Sequence, residues 1–326
     1  METLTVAVPT LRIDPVAELI DLTDPEDPFQ RMKACSVVTY GESTLQRLPW
    51  SGLNRPHERG LAAVAHEEAG VRWTVSSRGA PLPGTYERSV FRALEWIAID
   101  GSVAQGAAFE NPLVIHPRDL CERLCWRATQ PQFDAIEQAM QTLCRVVIEE
   151  TPAGKPSRRI GLLRSAIPGS QRSVHRSQTC PQFVVYFDKT FVDSINAGHV
   201  RPINWGLWIA LRDPAAQRIL EILEPEFVVR GGQALASIDA DLLSNLLPLG
   251  PALSRGRRRA VLEQAHAALV RRGYLRKVER RVCGASETFV YEPGLTFRAM
   301  RYHLGNRSAL PHSRRGARAA AGAALG

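Results

Sequence analysis

Arginine dominates the stretch Ser254–Arg259, which reads S-R-G-R-R-R. Ser254 is a good helix N-cap, and five consecutive positions cover the circumference of a helix, so some of these arginines must point away from the core. A guanidinium group matches guanine O6 and N7 and also binds phosphate. We expect Arg255 and Arg258 to contact bases or phosphates, and Arg257 and Arg259 to contact mainly phosphate.

The basic character of the helix continues in the segment that follows it. Leu253 to Arg318 holds sixteen Lys and Arg against four Glu, a concentration of positive charge that indicates a polyanionic partner. The predicted first strand of a hairpin carries four of these cations, and we expect them to contact DNA: Arg276, Lys277, Arg280 and Arg281. The alternative is an exposed edge strand that its charge keeps soluble.

A milder polar set lies earlier in the chain, at the start of another predicted helix and in the hairpin after it. We expect these residues to reach DNA: Thr129, Gln130, Gln132, Lys155, Arg158, Arg159 and Arg164. Asp134 and Glu137 make this helix acidic, so dimerisation through this part of the chain is as plausible as DNA contact.

The predicted helices and strands around the polar residues of the earlier segment, and those around the basic residues of the later one, follow the same order: helix, strand, helix, helix and hairpin. In the first copy, helices are expected from Thr85, from Pro117 and over FDAIEQAMQTLCR, with a short strand at 112–116 and hairpin strands VVIEETP and IGLLRSAI. In the second copy, Asp239 and Ser254 cap helices, and the last helix ends at Gly273. Its expected inner face is Val261, Ala265, Leu269 and Ala268, and the final hairpin turns at 283–286.

This order predicts an α+β protein with two tandem winged-helix domains, a helix-turn-helix with a β-hairpin wing in each. We predict an N-terminal arm over 1–80, partly disordered, with an edge strand at Val71–Ser77. The first winged-helix domain is expected over 81–200, for dimerisation or DNA contact, and the second over 201–297, as the main DNA-binding domain. Residues 298–326 are expected to form a flexible, basic, low-complexity tail.

Several functional classes find no support in the sequence. The phosphate-loop, HExxH, GxSxG and GxGxxG patterns are absent, so we expect no enzyme. The six cysteines form no CxxC pair, and we expect neither a metal nor another cofactor. A membrane-spanning run is absent too, and the N-terminus lacks a secretory signal, which predicts a cytoplasmic, nucleoid-associated or plasmid-associated protein.

Three stretches give the sequence a family resemblance: WTVSS through PLPGTYERSVFRALEWIA, FVVYFDKTFVDSINAGHVRPINW and WIALRDPAAQRILEIL. They resemble the plasmid replication initiators, over roughly Trp73 to Pro293, and the long N-terminal segment is a departure from that group. The resemblance implies two joined winged helices, binding to origin repeats, a dimer that exchanges with a monomer, and contacts with host replication factors. A winged-helix transcriptional regulator and a protein adaptor that does not bind DNA are the alternatives.

Overall fold

The computed structural model describes residues 38–53, 62–68, 70–102, 107–172, 179–229, 235–249, 253–284 and 286–298. The predictions for residues 1–37 of the arm and for the tail beyond 298 fall outside these residues. Within them the chain mixes helices and strands, which confirms the predicted mixed composition. None of the described helices is long and apolar enough to cross a membrane.

The elements succeed one another along the chain in the following order: β1 Val38–Glu42, α1 Ser43–Arg47, β2 Ala63–Glu68, β3 Val71–Ser77, α2 Thr85–Ser102, β4 Leu113–Ile115, α3 Pro117–Arg123, α4 Gln130–Leu143, β5 Val146–Pro152, β6 Arg158–Gly161, β7 Leu163–Arg172, β8 Thr179–Phe187, α5 Lys189–Asn196, β9 Val200–Asn204, α6 Trp205–Ala210, α7 Pro214–Val229, β10 Ala236–Asp239, α8 Ala240–Leu246, α9 Arg255–Arg271, β11 Leu275–Cys283 and β12 Ser286–Pro293.

Two three-stranded sheets repeat the same arrangement. The strand order is β4-β8-β7 in the first and β10-β12-β11 in the second, and in each sheet the short strand pairs with the last strand of a hairpin. Two helices follow each short strand, α3 and α4 in the first unit and α8 and α9 in the second. The final hairpin closes with Cys283 opposite Ser286, which confirms the turn predicted at 283–286.

The hairpin predicted after α4 is arranged differently from the expectation. Strand β5 pairs with β3 and β6 in the four-stranded sheet β2-β3-β5-β6, while β7 pairs with β8. The single strand expected over IGLLRSAI therefore divides between two sheets. Along one strand, buried and exposed side chains alternate. Leu162 and Leu163 are neighbours and both buried, so the alternation breaks here, where the chain passes from one sheet to the other.

The segment before residue 80 takes part in the folded body. Strand β1 pairs with β9, with Gly41 opposite Arg201. Strand β3 was expected at a sheet edge, and that prediction was wrong, because β2 and β5 flank it on both sides. The domain boundaries at 80 and 200 stay predictions, although strand pairing connects residues across both.

Candidate nucleic-acid interface

Helix α9 begins where its sequence indicates. The Ser254 hydroxyl accepts a hydrogen bond from the Arg257 backbone N–H at 3.4 Å, which satisfies one of the free donors of the first turn. The helix ends at Arg271, and Gly273 follows with a φ of 68°, a conformation that glycine adopts without steric cost. Local signals at both ends therefore set the length of α9.

The buried face of α9 differs from the predicted one by part of a turn. The buried residues are Leu262, Ala265, His266 and Leu269. Val261 and Ala268, which were expected inside, are half-buried. Since residues four apart share a helix face, this rotation decides which arginines of the first turn point outward.

His266 fixes α9 to the final hairpin. Its Nε2 shares a hydrogen bond of 3.1 Å with the Tyr291 hydroxyl, and its ring meets Phe289 edge-on with centroids 4.9 Å apart. Burial lowers the pKa of His266 to about 4, because a charged imidazole would lose its hydration at this position. The helix and β12 are therefore held together by a neutral histidine.

The four arginines of the first turn are in different environments. Arg255 and Arg257 are exposed, and neither has a carboxylate within ion-pair distance among the residues that the structure describes. Arg258 is half-buried, and its Nε donates to the Leu253 carbonyl at 3.1 Å. Arg259 is ion-paired with Glu263 at 3.0 Å. Two of the four guanidinium groups are therefore uncommitted.

The cations of the final hairpin are ion-paired, in contrast to those of the helix start. The pairs are Arg276 with Glu292 at 3.0 Å, Lys277 with Glu279 at 3.5 Å, Arg280 with Glu287 at 2.5 Å and Arg281 with Glu279 at 3.0 Å. Four cations thus face three carboxylates. The sequence count gave the net charge of this segment but not the pairing, since two of the three carboxylates come from the opposite strand.

The start of α9 and the final hairpin belong to one surface. The hydrogen bond from Arg280 lowers the pKa of Glu287, and the positive charges of Arg259 and Arg255 lower it further. Such an effect requires the first turn of α9 to lie near β12. The uncommitted guanidinium group of Arg255 and the hairpin can therefore meet the same partner.

The polar residues at the start of α4 are largely engaged within the protein. Gln130 Nε2 donates to Asp134 Oδ1 at 2.8 Å, and Gln132 Nε2 donates to the Tyr86 hydroxyl at 2.8 Å. The Tyr86 ring in turn stacks on Trp126, with centroids 4.8 Å apart. Thr129 is exposed at the N-cap position. Gln132 therefore positions α4 against α2.

The hairpin of β5 and β6 resembles the final hairpin in its charge pairing. Arg158 forms an ion pair with Glu150, and Arg159 lies 3.6 Å from Glu149. Lys155 in the turn and Arg164 on β7 are exposed, and neither has an ion pair among the described residues. Of the four cations expected to contact DNA here, two are therefore already paired with carboxylates.

A buried charge network joins α2 to α7 and was not predicted. Glu221 accepts from Arg92 at 3.0 Å and from Arg218 at 2.9 Å, and Arg92 also pairs with Glu95 at 2.7 Å. Burial alone would raise the pKa of Glu221, but Arg92, Arg88 and Arg218 lower it to about 2. The sequence signal for this network is a pair of spacings on two apolar helices, R-x-x-x-R-x-x-E and R-x-x-E.

The segment β1–α1 completes the hydrogen bonds of this network. Arg218 donates to the carbonyl oxygens of Gln46 at 2.5 Å, Leu48 at 2.9 Å and Leu246 at 3.3 Å. The Glu42 backbone N–H donates to Glu95 at 2.5 Å. Burial raises the pKa of Glu95 to about 7 despite the neighbouring Arg92. The network therefore attaches the chain before residue 50 to both long helices.

Comparison with known proteins gives similarity only among solved structures. No protein-family model matches the sequence, and no curated protein matches it. The fold is similar to domains 2 and 3 of RctB in two crystal structures. One has 13% identity, a TM-score of 0.47 and coverage of 74% of this chain and 94% of that chain. The other has 12% identity, a TM-score of 0.44 and coverage of 77% and 98%.

The Pi initiator protein in complex with iteron DNA is also similar, at 12% identity, a TM-score of 0.41 and coverage of 65% of this chain and 91% of that chain. The sequence stretches resemble plasmid replication initiators, and this third similar structure is described as that of an initiator protein. At these identities and TM-scores the likeness concerns the fold alone.

Proposed function

We propose that the chain is a non-enzymatic replication initiator that binds repeats in a plasmid or replicon origin as duplex DNA. In this proposal the unit from α7 to β12 is a winged helix whose third helix, α9, enters the major groove. The unit formed by α2, β4, α3, α4, β7 and β8 is a second winged helix, with β7 and β8 as its wing.

The observation that carries the proposal is the pair of uncommitted guanidinium groups at the start of α9. Arg255 and Arg257 are both exposed in the first turn of α9, and the neighbouring hairpin has its own cations ion-paired. A free guanidinium group beside a phosphate releases condensed counterions, whereas a cation already bound to a carboxylate gains less. The start of α9 is therefore the part of this surface that is best prepared for a polyanion.

The first unit is better suited to contact with a second copy of the chain. Asp134 and Glu137 lie on α4 and repel phosphate, and Arg158 and Arg159, on the strand β6 that precedes β7, are ion-paired. On the outer face of the sheet β4-β8-β7, Val114 and Ile167 are 57% and 51% exposed, and both lie opposite Val184. We assign this apolar row to a homodimer in equilibrium with the monomer.

The dimer assignment is tested by sedimentation. Ile167→Asp should shift the protein to the monomer at concentrations where the wild type is dimeric. Leu295→Asp, at a 56% exposed residue that follows β12, is the matched control. An unchanged dimer fraction in Ile167→Asp would remove this surface from the assignment.

The test of the main proposal is binding to the DNA upstream of the chain's own gene. The full chain should shift that fragment specifically, with an affinity that falls steeply as salt rises, and a scrambled duplex of equal length should bind more weakly. Absence of a specific, salt-sensitive shift would refute the proposal. Deletion of the gene separates an initiator from a transcriptional regulator, because only an initiator is needed for replication of its replicon.

Two further assignments accompany the proposal. Host replication factors as partners follow from the resemblance alone and are tested by co-purification on origin DNA. The chain is proposed to act without cleaving or copying DNA, so incubation of the complex with Mg²⁺ and nucleotides should leave the strands unchanged. Strand cleavage by the purified chain would contradict this part of the proposal.

A further inference from the structure

The outward face of α9 carries two side chains without an internal partner. Arg257 and Gln264 are both exposed, and they lie seven residues apart, which places them on the same side of the helix. In the described part of the chain, neither side chain has a recorded hydrogen bond or ion pair. This side lies opposite the face that α9 buries.

The other arginines of the first turn are less suited to this face. Arg258 precedes the buried Leu262 by four residues and Ala265 by seven, so it belongs to the inner side, and its Nε is bound to the Leu253 carbonyl. Arg259 is held by Glu263. Arg255 precedes the buried Leu262 by seven residues, so it too lies away from the outward face.

The small residues beside Arg257 and Gln264 do not obstruct an approaching surface. Gly256 and Ala260 are exposed and small, and a Cβ atom added at Gly256 would meet no heavy atom within 4 Å. The longer Arg257 and Gln264 side chains can therefore extend beyond the helix surface. They are the groups that would reach the floor of a groove first.

We propose, on the basis of the function proposed above, that Arg257 and Gln264 determine the sequence specificity of α9. Arg257 would donate two hydrogen bonds to guanine O6 and N7, and Gln264 would accept from adenine N6 and donate to adenine N7. Seven residues span about 10.5 Å of helix, and stacked base pairs are about 3.4 Å apart. The recognised guanine and adenine are therefore about three base pairs apart.

The experiment is selection of bound duplexes from a randomised pool with the full chain. The wild type should select a motif that contains this guanine and adenine. Gln264→Ala should lose its preference at the adenine by at least about fivefold and keep the guanine. Gln264→Glu should prefer cytosine at the same position, because a carboxylate accepts from cytosine N4.

Gln141→Glu makes the same chemical change at an exposed position of α4 and should leave the selected motif unchanged. Circular dichroism shows whether each variant keeps the fold. If the wild type selects no motif at all, the proposed function fails. If it selects a motif that both Gln264 variants select equally well, the proposed function stands and the assignment of Gln264 is overturned.

Discussion

Lowering the pH should weaken the attachment of α9 to the final hairpin through His266. An unfolded histidine has a pKa of about 6.5, whereas burial lowers the folded pKa of His266 to about 4. Below about pH 6.5 the unfolded chain therefore binds a proton that the folded chain excludes, and stability is lost as the pH falls toward the folded pKa. The full difference between the two pKa values corresponds to about 3 kcal/mol.

The assay is urea unfolding of the wild type and of His266→Gln, which does not titrate but can still form a hydrogen bond with Tyr291. Between about pH 8 and about pH 4.5, the wild type should lose about 2–3 kcal/mol relative to the variant. Glu95 acts in the opposite direction, because its raised pKa of about 7 makes the folded chain bind a proton more readily. Both proteins contain Glu95, so its contribution cancels in the difference. A difference that stays constant over this pH range would refute the reasoning.

Two further predictions concern stability and are measured by the same unfolding assay. Arg218→Met should lower the free energy of unfolding by about 3–5 kcal/mol, because it leaves a buried carboxylate and three carbonyl groups without this donor. Its control is Lys189→Met, at an exposed ion pair, which should lower the free energy of unfolding by less than about 0.5 kcal/mol. Gly294→Ala should lower the free energy of unfolding by about 1–3 kcal/mol, since the Cβ of the new alanine would lie 2.8 Å from the Gly273 carbonyl carbon. Its control is Gly256→Ala, in open space, which should leave the free energy of unfolding unchanged or raise it by up to about 1 kcal/mol. Equal effects within either pair of variants would contradict these contacts.

Features with local signals could be predicted from the sequence. Ser254 as the N-cap of α9, the end of that helix at Gly273 and the turn at 283–286 depend on neighbouring residues alone, and the structure has all three. The order of elements in the second unit was predictable for the same reason. Each of its helices has a cap or an apolar stripe that is recognisable within a few residues.

Long-range pairing had no such signal. The β1–β9 pair joins residues about 160 positions apart, and the four-stranded sheet combines strands from both sides of the predicted boundary at 80. The change of sheet at Leu162 depends on which strand lies next to it in space. These features follow from tertiary contacts that a single sequence does not reveal.

The candidate site shows how a small error in helix phase changes a functional assignment. Val261 and Ala268 were expected inside, but Leu262 and His266 are buried instead, so Arg258, which precedes Leu262 by four residues, lies on the inner side and not at the DNA-facing position expected for it. The pairing of Arg280 with Glu287 was equally hidden, because it depends on the register of β11 against β12. Residue types indicated a basic surface, and only the geometry separates committed from uncommitted charges.

The most direct test of the proposed DNA surface compares two double variants of equal charge on the upstream duplex. Arg255→Ala with Arg257→Ala removes uncommitted groups, and Arg276→Ala with Arg281→Ala removes ion-paired ones. The first pair should weaken binding more and should reduce the slope of log K against log salt by about one to two. An equal or larger loss in the hairpin variant, with the slope unchanged in the α9 variant, would contradict the assignment of DNA binding to the start of α9.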